Sequence, residues 1–120
     1  MADIYEQHGA AFNRVAAYVV LHDGKHVANV AFKFPADGAG RLYAYVHWLG
    51  LEMTRGFAGG YCNRSAAVAN ATRKMPEAVL KYDAAQWDRW NAFKQSARRD
   101  DGNNWVRNLE LAGFVVMCAI

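Results

Sequence analysis

Asp23-Gly24 lies between two strand-like runs, and this pair constrains the fold more than any other feature of the chain. Both central residues of a type I′ turn need positive φ, and Asp-Gly between alternating apolar residues is its signature. Pairing His22 with Lys25 sets the register. Val15, Ala17, Val19 and Leu21 then share a face with His26, Ala28, Val30 and Phe32. That face is apolar and is expected to look into the core. Arg14, Ala16, Tyr18, Val20 and His22, opposite Lys25, Val27, Asn29, Ala31 and Lys33, form the other face, mixed and half solvated.

Further strands follow. The turn cluster Pro35-Ala36-Asp37-Gly38-Ala39-Gly40 leads to a third, with Leu42, Ala44, Val46 and Trp48 on its apolar side and Arg41, Tyr43, Tyr45 and His47 on the other. A short fourth strand is expected over 52–58, with Met53 and Phe57 inward and Gly59-Gly60 ending it. Asn63 then reads as the N-cap of a helix running to Ala71. Pro76 is placed to open a second helix to about Tyr82. A third stretch, Asp83 to Arg98, carries Trp87, Trp90 and Phe93 at helical spacing. A last helical stretch over 104–111 stops at Ala112-Gly113, and 114–120 reads as a buried final strand.

The expected fold is therefore α+β. An N-terminal antiparallel β-meander and a C-terminal strand form one sheet, with helices packed on one face, in a single domain spanning 1–120. At 120 residues such a chain can bury a core without staples. Of its 53% hydrophobic residues 22 are alanine, so the core is light and the tryptophans must fill much of it.

The residues that could carry chemistry favour a binding role over catalysis. His22 and His26 flank the turn and point to opposite faces, so they are expected to hold no metal. Cys62, before a helix start, could be an activated thiol with His47 as base, but reads more simply as a small turn residue. Ser65 has no partners at the spacing of a known triad. Gly59-Gly60 leading to Arg64 lacks the glycine spacing of a phosphate loop. No enzymatic activity, metal or cofactor is expected. Cys62 and Cys118 read as two reduced thiols, one of them buried. No apolar run is long enough for a membrane helix, and the polar start Met1–Glu6 is unlike a signal peptide, so a cytoplasmic location is expected.

A net charge of +3 is mild for a nucleic-acid binder. Of the basic doublets, Arg98-Arg99 is cancelled by Asp100-Asp101, and Arg73-Lys74 is not. Tyr18, Tyr43 and Tyr45, with Arg41 and neighbouring cations, are expected to share the outer sheet face. Tyrosine and arginine are common anchors of protein interfaces, and aromatic sheet faces also stack bases. The candidate partner-binding residues are Tyr18, Arg41, Tyr43, Tyr45 and Arg64. A protein partner is expected first, and nucleic acid bound by the same face second.

Two stretches, Ala58-Gly59-Gly60-Tyr61-Cys62-Asn63-Arg64-Ser65-Ala66-Ala67 and Leu109 to Ile120 with its Ala-Gly-Phe-x-Val-x-x-Ala-Ile ending, resemble small proteins of bacterial phages and mobile elements. In those a Tyr-Asp-Lys-like triplet stands where this chain has Cys62-Asn63-Arg64. The resemblance implies a non-enzymatic protein acting in a bacterial host against a defence system, as anti-CRISPR proteins do, with a Cas protein or complex as partner.

Overall fold

A computed structural model describes residues 12–35, 42–49, 54–61, 63–75, 83–100, 102 and 104–119. Strands β1 (Phe12–His22), β2 (Lys25–Pro35), β3 (Leu42–Trp48) and β4 (Thr54–Tyr61) come first. Helices α1 (Arg64–Arg73), α2 (Ala84–Ala97) and α3 (Trp105–Leu111) follow, then strand β5 (Phe114–Cys118). All pairings are antiparallel, in the order β4-β3-β2-β1-β5. This is the α+β meander with a returning C-terminal strand that the sequence pattern predicts.

The turn is also as predicted. Asp23 and Gly24 have φ of 51° and 76°, and His22 pairs with Lys25. The register changes two residues later. Leu21 faces His26, but Val20 faces Ala28, so Val27 is an extra residue in β2. A one-residue bulge reverses which side chains of the partner strand share a face. Beyond it the helix side of β1 carries Ala16, Tyr18 and Val20, not the expected Ala17, Val19 and Leu21, and the side chain of Val15 lies outside the described ones. The reason lies in what the core takes in. The bulge buries Val27 and Ala28 together, whereas an unbroken register directs His26 inward and Val27 outward. The extra carbonyl at Val27 is satisfied by Leu49 N–H at 2.9 Å.

β4 departs from the sequence expectation too. It continues through Gly59-Gly60 to Tyr61, where Leu42 pairs with Tyr61 and Tyr43 with Gly59. The glycine pair marks a further bulge rather than a strand end. Met53 and the helix expected over Pro76–Tyr82 lie outside the described residues.

All three described helices begin at side-chain caps. Asn63, Asp83 and Asn104 accept from the backbone N–H groups of Ala66, Gln86 and Arg107. The helices cover the sheet face bearing Val20, Ala28, Val30, Phe32, Ala44, Val46 and Trp48. The tryptophan stripe provides the bulk. Trp90 and Phe93 are fully buried, and each lies within 5.4 Å of Trp48, ring centre to ring centre.

The opposite sheet face is not half solvated along β2 and β3 as expected. Asn29, Ala31, Lys33, Tyr45 and His47 are all buried there. Lys33 is wholly enclosed, with its Nζ 5.3 Å from the centre of the Tyr45 ring. Desolvation pushes its pKa below the ordinary 10.5. The unfolded chain then binds more protons than the folded one between that lowered pKa and 10.5, so stability rises with pH across this window. In urea titrations from neutral pH towards 10.5, the wild type should therefore gain stability relative to Lys33→Met. A difference that does not change with pH would show that Lys33 keeps its ordinary affinity for the proton.

Candidate functional site

The Tyr18–Arg64 cleft follows from the bulge. With Tyr18 on the helix side, its ring packs edge-on against Trp105 at 5.3 Å and Phe32 at 6.2 Å. Phe32 and Trp105, 5.4 Å apart, close an aromatic triangle. The Asn63 cap starts α1 so that Arg64, its first residue, reaches this triangle. Arg64 Nη1 donates to Tyr18 Oη at 2.9 Å, and its guanidinium carbon lies 5.1 Å from the Phe32 ring centre. Ser65 ties α1 to α3, its Oγ accepting the backbone N–H of Trp105 at 3.0 Å.

Together Tyr18, Asn63, Arg64, Ser65, Asn104 and Trp105 line an open cleft of about 560 Å³. Among the described residues no carboxylate pairs with Arg64. A guanidinium has five N–H donors, and Tyr18 takes one of Arg64's. The cleft thus presents a positioned cation with donors to spare beside aromatic walls. This suits a planar anion such as a carboxylate, which arginine holds in a two-pronged grip.

The structure brings together only two of the five candidate partner-binding residues. Tyr18 and Arg64 meet on the helix side. Tyr43 and Tyr45 lie on the opposite face, Tyr43 half-buried and Tyr45 buried. Arg41 lies outside the described residues. Phe32, Asn104 and Trp105 join the site without having been singled out. The one legible hint was the placement of a helix start near Asn104.

Groups of three or more His, Cys, Asp and Glu that could hold a metal are absent among the described residues. His22 Nδ1 accepts from Arg89 Nε at 3.0 Å, while His26 Nε2 meets Asn29 Oδ1 at 2.7 Å on the other face. Ser65 serves as an acceptor for α3. Cys118 is exposed, and Cys62, the other expected thiol, lies outside the described residues. No described helix is long and apolar enough to cross a membrane. The two basic doublets, separate in sequence, converge where Arg98 Nε donates to Thr72 Oγ1 at 2.8 Å.

Comparison with protein-family models, curated proteins and solved structures finds no match to this chain.

Ser65 is the pin between α1 and α3, which makes its contribution measurable. Ser65→Ala strands the Trp105 N–H and should lower stability by about 1–2 kcal/mol in urea unfolding. Ser65→Thr, which keeps the acceptor, should recover most of that. A loss shared equally by both variants would point to packing rather than the hydrogen bond.

Proposed function

We propose that this chain is a small, non-enzymatic binding protein that inhibits a bacterial defence system, CRISPR–Cas foremost, by occluding a protein surface. The observation that carries the binding reading is Arg64. Its guanidinium is anchored by the Tyr18 hydroxyl and the Phe32 ring, opens into a cleft, and has no carboxylate partner among the described residues. An arginine held in place has already lost part of its side-chain entropy, so an incoming acidic side chain gains more of the interaction energy. The setting rests on the resemblance of Ala58–Ala67 and Leu109–Ile120 to phage and mobile-element proteins. The bacterial cytoplasm, where such a target works, is part of the same proposal.

The cleft thus centres the contact on Arg64 and Tyr18, with Trp105 as the aromatic wall. A protein partner is favoured over nucleic acid because the expected stacking platform is dispersed: Tyr45 is buried, and Tyr18 faces the helices.

Expression of the chain in a defence-positive bacterium should restore plaquing by a phage that the defence blocks. Arg64→Glu should abolish the rescue at equal protein level. Tyr18→Phe, which keeps the ring and loses the anchor, should weaken it. Unchanged plaquing with the wild-type chain would sink the inhibitor reading. A gel shift that collapses between low and high salt would instead favour the nucleic-acid alternative.

A further inference from the structure

Among the described residues the sheet ends at β5, and one hydrogen bond gives the direction of this strand's backbone groups. Ala119 N–H donates to the Ala17 carbonyl at 2.8 Å. In an antiparallel ladder the N–H and C=O of one residue point the same way, and successive residues alternate. Ala119, Met117 and Val115 therefore address β1. The N–H and C=O of Val116 and Phe114 point away from the sheet.

The side chains alternate in the other plane. Phe114 and Val116 enter the helix-side core. Val115 and Met117, beside Leu21 and Val19 of β1, emerge on the opposite face, 52% and 49% exposed. No charge occurs from Phe114 to Ala119. Monomeric sheets guard such an edge with lysine, proline or a bulge, and this strand has none of these.

We propose that β5 is a homodimer interface, pairing antiparallel with β5 of a second copy about a two-fold axis near the middle of the strand. The second copy is the occupant this chemistry favours, because an uncharged antiparallel edge complements itself. The two-fold sets the outward groups of Phe114 and Val116 against the same groups of the other chain. With the axis at Val115 this side chain meets its own counterpart on one face, Met117 flanks it diagonally, and no like charges on the strand oppose each other. Two five-stranded sheets become one continuous sheet. Five residues span only about 17 Å. So short a contact lies at or below the small end of specific interfaces, which bury about 1,200–2,000 Å². Such a dimer should form with a roughly micromolar Kd and respond to concentration. Val115 and Met117 emerge on the sheet face opposite the Arg64 cleft, and the proposal does not depend on the function proposed for that cleft.

Sedimentation of the full chain over a wide dilution series tests it. The mass should move from 13.4 kDa when dilute towards twice that when concentrated. Met117→Lys should hold the chain as a monomer throughout while leaving its circular dichroism and melting unchanged. Leu111→Lys, which alters an equally exposed apolar residue off the strand (51%), should dimerise like the wild type. Amide exchange gives a readout without substitutions: protection at Phe114 and Val116 should rise with concentration, and at Val115 it should not. A wild-type chain that stays monomeric overturns the proposal. So does association that survives Met117→Lys, or that both lysine variants weaken alike.

Discussion

One extra residue in β2 decides what each face of the β1–β2 ribbon does. Without the bulge at Val27, the Asp23-Gly24 turn dictates that Tyr18 faces away from the helices. With it, Tyr18 turns towards them, Val20 replaces Leu21 in the core, and the hydroxyl of Tyr18 comes within reach of Arg64. The ladder hydrogen bonds lost at the bulge are partly replaced by the Leu49 N–H on the Val27 carbonyl. The gain is Val27 inside the core beside Ala28, with His26 left at its margin. Burying an isobutyl- or isopropyl-sized side chain is worth about 1.5–3 kcal/mol, enough to outweigh one irregular pairing.

An alanine-rich layer brings backbones close but leaves little area to bury. Ala28, Ala44, Ala67, Ala71 and Ala97 occupy the interface between sheet and helices. The large rings make up the deficit in two separate places. Trp48, Trp90 and Phe93, joined by Phe114, fill one region. Tyr18, Phe32 and Trp105 fill the other, and there the layer opens into the cleft. The first group is enclosed, and its rings hold the fold. The second reaches solvent through Tyr18 and Arg64, so the same kind of packing becomes a binding surface.

The elements whose signals are local were legible in the sequence. Asp-Gly specified its turn, Asn63 and Asp83 their helix starts, and the spacing of Trp90 and Phe93 the buried side of α2. The order of β1 to β4 followed as well, since each hairpin joins neighbours, but the place of β5 beside β1 did not. What was not legible depended on competition between distant residues. The choice between His26 and Val27 for the core is settled by what the helices bring to that face, which no window around the turn contains. Burial of Lys33 and His47 opposite the helices was hidden for the same reason: alternation says which residues share a face, not whether that face is covered. The expected tyrosine cluster failed with the register, because a one-residue shift moves Tyr18 across the sheet while leaving Tyr43 and Tyr45 in place.

The two ends of β5 show how this fold separates stability from recognition. Phe114 plugs into the aromatic core and stacks near His22, which Arg89 of α2 holds by its Nδ1. A strand fixed so firmly at its start cannot slide, so Val115 and Met117 have no inward register available to them. Their exposure is therefore a consequence of where Phe114 is anchored. The same logic governs Arg64, whose place in the first turn of α1 is set by the Asn63 cap and the Ser65 link to α3. In both cases a buried or capped neighbour immobilises the backbone, and the next residue along is presented to solvent in a single geometry. Presentation of that kind lowers the entropy lost on binding, and it costs the core nothing, because the presented side chains were never part of it.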